Sequence, residues 1–172
     1  MSENMGGENV ILTGFMGTGK TTVGSLLAKN LNYEFVDTDR LIEKQCAMSI
    51  PAFFKEEGEA AFRKKETEVA TKLAELNSLV ISTGGGFMLN PVNAELLEKT
   101  GRIFCLVATP DEIVQRILQD SVDERPLLQV NNPRKRIIEL LRQRREGYAQ
   151  FPQLTTSGKT PSQIVQDIIA LL

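Results

Sequence analysis

The amino-acid sequence predicts an α/β protein, a three-layer α/β/α sandwich with a parallel sheet as its middle layer. Short apolar runs, typical of buried strands, alternate with longer segments whose apolar residues recur at helical spacing. Parallel neighbours require such crossover connections, which place helices on both faces of the sheet. A length of 172 residues and a hydrophobic content of 41% suit a single domain over residues 1–172.

Five apolar runs are the predicted strands: residues 10–12, 33–36, 79–82, 103–107 and 154–156. Helices are predicted between them, the first after Lys20 and others over residues 39–45 and 59–77. A shorter helix begins at Ser49 and Pro51 and ends at Gly58. An N-cap residue followed by proline marks four further helix starts: Asn90-Pro91, Thr109-Pro110, Asn132-Pro133 and Thr160-Pro161.

A glycine-rich loop of the pattern GxxxxGK[ST] follows the first strand directly, from Gly14 to Thr21. In this motif, glycines let backbone N–H groups surround phosphates, the lysine reaches the outer phosphates, and the final hydroxyl binds Mg²⁺. The alternative is a glycine-rich turn that merely precedes a lysine, but a strand before and a helix after favour a nucleotide site. Within this phosphate loop, residues 14–22, the predicted nucleotide-binding residues are Gly17, Thr18, Gly19, Lys20, Thr21 and Thr22.

Two carboxylates, Asp37 and Asp39, follow the second predicted strand and should lie near the phosphate loop at the carboxyl edge of the sheet. Phosphoryl transfer has two uses for such a pair, because one carboxylate can hold Mg²⁺ through water while the other accepts the proton of an attacking hydroxyl. The alternative for either residue is an N-cap of the following helix.

Three consecutive glycines, Gly84, Gly85 and Gly86, follow the third strand. A turn alone does not require three, and their open backbone N–H groups suit a carboxylate or a phosphate. Arg63 and Glu66 are three residues apart on a predicted amphipathic helix, and their spacing alone indicates an exposed ion pair.

Composition argues against several classes of function. With 20 basic and 22 acidic residues, the net charge of −2 does not indicate a nucleic-acid partner. The absence of histidine excludes Ser-His-Asp hydrolysis and histidine-bound zinc, so catalysis must depend on carboxylates, lysine, arginine and Mg²⁺.

The expected location is the cytoplasm, with no membrane attachment. Cys46 and Cys105 are far apart in sequence, and Cys105 lies in an apolar run, so packing is expected rather than a disulfide. The first residues carry no signal-peptide pattern, and no apolar run approaches the length of a membrane span.

Six elements in order resemble the pattern of one kinase family: the phosphate loop, Asp37-Thr38-Asp39, Phe62-Arg63 with Glu66, Gly84-Gly85-Gly86, Arg125-Pro126-Leu127-Leu128, and Arg144 four residues before Tyr148. This set is similar to that of the shikimate kinases and covers nearly the whole chain. The resemblance implies a nucleoside-monophosphate-kinase-like fold, a five-stranded parallel sheet in the order 2-3-1-4-5, a mobile lid and a monomer. The lid would be residues 120–132, a stretch without periodicity.

The resemblance also implies a role for each matching residue. Shikimate would bind in the region of residues 37–66, with Asp39 on its hydroxyls as the base and Asp37 near Mg²⁺ through water. Its carboxylate would be held by the guanidinium groups of Arg63 and Arg144, together with backbone contacts from the turn of Gly84, Gly85 and Gly86, and Glu66 would orient Arg63.

The nucleotide would be bound by further residues of the family pattern. Arg125 would close over the β- and γ-phosphates as a catalytic arginine, alongside Lys20. Arg116 and Pro161 would enclose the adenine, although Pro161 is also explained as a helix-opening proline.

The sequence thus predicts an ATP-dependent kinase that uses Mg²⁺ to phosphorylate the 3-hydroxyl of shikimate, giving shikimate 3-phosphate for aromatic amino-acid synthesis. One alternative is a kinase of the same superfamily that acts on another small hydroxy acid such as gluconate, or on a nucleotide. Another is a non-catalytic homologue that binds nucleotide as a regulatory module. The chain keeps Lys20, Asp39 and Arg125, one or more of which such a homologue would be expected to have lost.

Overall fold

The structure is a computed structural model, and it describes residues 7–119, 128 and 130–172. Its described strands form one five-stranded parallel sheet in the order β2-β3-β1-β4-β5, which confirms the predicted fold. The strands are β1 (Asn9–Thr13), β2 (Glu34–Asp37), β3 (Leu79–Ser82), β4 (Gly101–Val107) and β5 (Gln153–Thr155). The predicted bounds of β3 are confirmed, and those of the other four strands differ from the observed ones by at most two residues.

Seven helices connect the strands in the described ranges: α1 (Lys20–Leu31), α2 (Thr38–Cys46), α3 (Ile50–Leu73), α4 (Pro91–Glu98), α5 (Pro110–Gln119), α6 (Pro133–Ala149) and α7 (Pro161–Leu171). A 3₁₀ turn, Phe87–Leu89, follows the glycine turn after β3. None of these helices combines the length and apolar character that a membrane span requires.

The sheet separates two apolar cores, which gives the three layers. Side chains alternate along β1, so Val10 and Leu12 belong to one core and Ile11 to the other. Helices α1 and α7 cover the first face through residues such as Leu27 and Ile168. Helices α2 to α6 cover the opposite face. All five residues of β1 are buried, which fixes the strand that carries the phosphate loop.

The N-caps predicted from sequence are present. The side chains of Asn90 and Asn132 accept hydrogen bonds from backbone N–H groups in the first turns of α4 and α6. Thr109 and Glu112 exchange side-chain and backbone hydrogen bonds at the start of α5, and Thr160 forms a capping box with Gln163 at α7.

Helix α3 contains a break at Gly58, where two helices were predicted to meet. The Gly58 backbone is non-helical, with φ 84° and ψ 171°, although helical residues continue on both sides. The second part ends at Leu73 rather than at the predicted residue 77. The break separates the segment after Ser49 from the segment that carries Arg63 and Glu66.

Candidate active site

A cleft opens at the carboxyl edge of β1, β2 and β3, as expected for a parallel α/β sheet. Three groups of residues line it: phosphate-loop residues including Lys20 and Thr21, the carboxylates Asp37 and Asp39, and the start of the glycine turn. The structure therefore brings together the three features that the sequence places after three different strands.

The phosphate loop depends on glycine where the backbone leaves β1. Gly14 has φ 132°, and a Cβ built on it would lie 2.4 Å from the Leu106 carbonyl oxygen. Gly17 and Gly19 also have positive φ, at 77° and 94°. No other residue type adopts these angles without strain. The glycines of the motif are thus explained by backbone geometry.

Lys20 lies inside the phosphate loop and is buried. Its Nζ donates to the carbonyl oxygens of Gly14 at 2.8 Å and Phe15 at 2.9 Å. Burial lowers the pKa of Lys20 to about 8, although Asp39 opposes this effect. The ammonium group is therefore poorly solvated, and an anionic phosphate would be a strong partner for it.

Asp37 is the N-cap of α2, one of the two roles predicted for it, and its role at Mg²⁺ stays a prediction. One carboxylate oxygen, Oδ1, accepts from the backbone N–H groups of Asp39 and Arg40 and caps α2. The other, Oδ2, accepts a 3.0 Å hydrogen bond from the Thr21 hydroxyl. The N-cap role of Asp37 therefore leaves one oxygen directed at the phosphate loop.

Asp39 is the carboxylate directed into the cleft. Its Oδ1 is buried without a hydrogen-bond partner among the described residues. Burial raises the pKa of Asp39 to about 6, and Asp37 adds to the rise while Lys20 and Arg63 oppose it. A buried acceptor without a partner is costly, so this oxygen is suited to a hydroxyl of a ligand.

The glycine turn is faced by one functional side chain at each of its three positions. A Cβ built on Gly84 would lie 2.6 Å from Asp39 Oδ1. On Gly85 it would lie 3.1 Å from Arg144 Nη1, and on Gly86 it would lie 2.7 Å from Arg63 Nη1. Glycine is needed here for close approach, because any side chain would displace a carboxylate or a guanidinium group.

Arg63 is held by two carboxylates on its own helix. Its Nη1 donates to both oxygens of Glu66 at 3.0 and 2.9 Å, and its Nη2 donates to Glu59 at 3.2 Å. The expectation of an exposed pair from spacing alone is wrong, because Glu66 is fully buried. Burial raises the pKa of Glu66 to about 7, and Arg63 opposes that rise. Glu66 thus contacts Arg63 through both of its carboxylate oxygens, and its role in orienting Arg63 stays a prediction.

Arg144 approaches the turn from α6. Its guanidinium carbon lies 5.8 Å from the ring centroid of Phe15, within range of a cation–π contact. Tyr148, one helical turn later, donates a hydrogen bond from its hydroxyl to the Gly85 carbonyl oxygen. Residues from α3 and α6 thus converge on one turn after β3.

Of the two described residues predicted to contact adenine, only Arg116 contacts the phosphate loop. Arg116 on α5 donates from Nη1 to the Gly17 carbonyl oxygen at 3.1 Å, which places it beside the loop. Pro161 is exposed at the first position of α7, next to the Thr160 capping box. Its position is explained by the helix start, and its adenine role stays a prediction. Arg125 and most of the predicted lid lie outside the described residues.

Sequence reasoning missed two residues that shape the site. The buried Thr38 hydroxyl accepts a 2.9 Å hydrogen bond from Gly84 N–H, which ties the glycine turn to the end of β2. Phe15 carries the ring beneath Arg144. A polar residue between two aspartates was the available signal for Thr38. Phe15 occupies a variable position of the loop motif and gave none.

A phosphate loop facing a carboxylate pair at the edge of a 2-3-1-4-5 parallel sheet defines a P-loop kinase with a small-molecule acceptor site. The shikimate kinase family model matches residues 16–172, and the chain belongs to that family.

Individual relatives agree with the family match. The shikimate kinase of Caldanaerobacter subterraneus subsp. tengcongensis is 44% identical over 164 residues, which cover 94% of each chain. The solved shikimate kinase from Acinetobacter baumannii in complex with shikimate is 37% identical, covers 96% of this chain and 92% of its own, and has a TM-score of 0.90. A gluconokinase from Sinorhizobium meliloti is 14% identical with a TM-score of 0.61, a likeness of fold alone.

Proposed function

We propose that this protein transfers the γ-phosphoryl group of ATP to the 3-hydroxyl of shikimate and releases ADP and shikimate 3-phosphate. The observation that carries the proposal is the glycine turn, where one carboxylate and two guanidinium groups face three successive glycines. This arrangement offers a base for a hydroxyl and two cations for a carboxylate around one short turn at the edge of the cleft. Shikimate carries both groups on one ring.

The acceptor would bind with its carboxylate between Arg63 and Arg144 and its hydroxyls toward Asp39. Guanidinium groups suit a planar carboxylate because they donate two parallel hydrogen bonds. Asp39, with a pKa raised to about 6, is ionised near neutral pH and accepts the proton of the attacking hydroxyl. Asp39 and Lys20 line the same cleft, so a hydroxyl bound to Asp39 would lie near the phosphoryl group.

Charge on the moving phosphoryl group would be offset by Lys20 and by Arg125, the arginine of the lid motif. Because Lys20 is already buried in the loop, it reaches the phosphates by exchanging its two carbonyl partners for phosphate oxygens. Gly17, Thr18, Gly19 and Thr22 would complete the phosphate site through the backbone and hydroxyl groups of the loop. Arg116 and Pro161 would contact the adenine.

Mg²⁺ fits the oxygen donors at the edge of the loop. Thr21 and Asp37 offer a hydroxyl and a carboxylate that already contact each other, and both line the cleft. The described residues hold no cluster of three or more acidic, cysteine or histidine side chains that could bind a metal alone. This favours an ion held partly by nucleotide phosphates, as Mg²⁺ commonly is. When bound, Mg²⁺ supplies positive charge to the phosphates.

We also propose that the enzyme acts as a cytoplasmic monomer without nucleic-acid or membrane partners. Balanced charge and the two free cysteines, Cys46 and Cys105, support this setting.

The experiment that tests the function is steady-state ADP formation from MgATP with shikimate, gluconate and nucleoside monophosphates as separate acceptors. We expect turnover that depends on shikimate and exceeds that with the other acceptors by several orders of magnitude. Turnover only with gluconate or a nucleotide would overturn the acceptor assignment. ADP formation with none of them would favour the non-catalytic nucleotide-binding homologue.

A further inference from the structure

Tyr148 has its polar end directed at the acceptor site rather than at solvent. The residue lies in the last turn of α6, is 7% exposed, and donates from its hydroxyl to the Gly85 carbonyl oxygen. Its own backbone is held separately, because the Tyr148 carbonyl oxygen accepts from Phe151 N–H and Gln153 Nε2. The hydroxyl contact is therefore not needed to keep the end of the helix in place.

The hydrogen bond to Gly85 also fixes the next N–H group. In a trans peptide the carbonyl and the following N–H point in opposite directions. Holding the Gly85 carbonyl against Tyr148 therefore directs the Gly86 N–H away from Tyr148. In the described part of the chain, no acceptor bonds to Gly85 N–H or Gly86 N–H. These donors are free for an anion.

The same hydroxyl lies beside Arg144. The two residues are four apart on α6, a spacing that places side chains on one face of a helix. A Cβ on Gly85 would meet Arg144 Nη1 at 3.1 Å and the Tyr148 hydroxyl at 3.8 Å, so both side chains border the same small space. Burial raises the pKa of Tyr148 to about 12, so its hydroxyl stays a donor over the working pH range.

We propose that Tyr148 is a positioning residue for the acceptor's carboxylate. Its hydroxyl holds the Gly85–Gly86 peptide and borders Arg144, so that a backbone N–H and a guanidinium group point at the same ligand oxygens. This inference rests on the proposed function, which places the carboxylate of shikimate at this turn. Tyr148 itself need not touch the substrate.

The test is Tyr148→Phe, which keeps the ring and removes only the hydroxyl. Tyr33→Phe is the matched control, because Tyr33 is the other tyrosine of the chain and lies, partly buried, against the core on the opposite face of the sheet. For Tyr148→Phe we expect the KM for shikimate to rise about tenfold, because one hydrogen bond is lost. The kcat and the KM for ATP should change little. The control should match wild type.

A second acceptor separates positioning from general loosening of the fold. An analogue of shikimate with hydrogen in place of the carboxylate has no group for Arg144 or Gly86 N–H to bind. Tyr148→Phe should therefore leave kcat/KM for this analogue within twofold of wild type. An equal loss with both acceptors, or an unchanged KM for shikimate, would overturn the proposal.

Gly85→Ala is a second variant that tests the same contact, because it changes the glycine turn instead of the tyrosine. Its Cβ would crowd Arg144 Nη1, the end of a flexible side chain, and Gly85 does not have a positive φ, so folding should be preserved. We expect a selective rise in the KM for shikimate here too, and a rise equal for both acceptors would contradict the proposal. Failure of the proposed function would look different, because wild type itself would then not turn over shikimate.

Discussion

At the scale of single residues, different glycines of the turn face side chains with different proposed roles, one in catalysis and one in substrate binding. Gly84 faces Asp39, the proposed base, whereas Gly86 faces Arg63, which is proposed to bind the carboxylate of shikimate. Neither glycine has a positive φ, so alanine would add a clash without backbone strain. The two positions therefore form a matched pair of substitutions within one turn.

We predict that Gly84→Ala lowers kcat at least tenfold, because a methyl group 2.6 Å from Asp39 Oδ1 must displace the carboxylate. Gly86→Ala should instead raise the KM for shikimate with a smaller effect on kcat. Steady-state kinetics with both substrates varied would measure the difference. The same kinetic effect from both variants would show that the turn acts as one unit and that the roles cannot be separated.

The pH dependence of turnover follows from Asp39. Its pKa is raised to about 6, first by burial and then by Asp37, and only its ionised form accepts a proton. We predict that kcat/KM falls tenfold per pH unit below about pH 6. Glu66 also titrates, near 7, so the profile should be repeated in Glu66→Gln. If kcat/KM of Glu66→Gln no longer falls below about pH 6, the group whose protonation lowers the activity is Glu66 and not Asp39.

Residue identity predicted much of the site, but not its geometry. The loop motif identified Lys20 and Thr21, three consecutive glycines after a strand identified the glycine turn, and the resemblance identified the roles of Arg63 and Arg144. The three-residue spacing of Arg63 and Glu66 predicted an exposed ion pair, whereas Glu66 is buried. Burial depends on which elements pack over the helix, and spacing along one helix carries no information about that. The hydrogen bond from Gly84 to Thr38 joins residues 46 positions apart, and local patterns carry no signal for such contacts.

At the scale of elements, Gly58 divides α3. Its φ of 84° and ψ of 171° lie in a region that is essentially restricted to glycine, while a Cβ there would meet no atom within 4 Å. We predict that Gly58→Ala lowers the free energy of unfolding by about 1–3 kcal/mol through backbone strain alone. Denaturant unfolding would measure it. Glu57→Ala, an exposed position one residue earlier, is the control and should change stability by less than about 0.5 kcal/mol.

A Gly58→Ala variant as stable as wild type would mean that the break is not required by the fold. In that case α3 would continue straight through the substitution.

Element starts were easier to predict than element ends. Each of the Asn-Pro and Thr-Pro pairs begins a helix because a capping side chain and the fixed φ of proline act locally. The end of α3 was placed four residues too late, since Leu76 continues the apolar pattern but is exposed at 49%. β5 lies one residue earlier than predicted because pairing with β4 sets its bounds.

At the scale of the whole molecule, alternation of strands and helices predicted a parallel sheet, whereas the order of its strands came from the resemblance. The crossover from β1 to β2 skips over β3, which is inserted between them. A crossover of a given length can place the next strand on either side of β1. The periodicity of apolar residues therefore does not predict the order of the strands. Because β1 lies in the middle of the sheet, its residues are buried on both faces and contribute to both cores.

Ligand binding should stabilise the whole molecule, and the acceptor site can be tested through it. At a shikimate concentration 100 times its Kd, binding raises the free energy of unfolding by about 2.7 kcal/mol. This corresponds to a rise in Tm of roughly 5–10 °C for a protein of this size. We predict that Arg63→Ala combined with Glu66→Gln loses this shift but keeps the shift caused by MgATP. The second substitution avoids leaving a buried carboxylate without its partner.

A shikimate-induced shift of wild-type size in the double variant would remove Arg63 from the binding site. Loss of both shifts would indicate a damaged fold instead.

The central claim is that this cleft transfers phosphate to one hydroxyl of shikimate. The measurement that tests it most directly is NMR analysis of the product formed from MgATP and shikimate, with phosphorus–proton coupling used to locate the phosphate. We predict one phosphorylated product, with the phosphate on the 3-hydroxyl and ADP formed in equal amount. A phosphate on another hydroxyl, or ADP formed without phosphorylated shikimate, would contradict the claim.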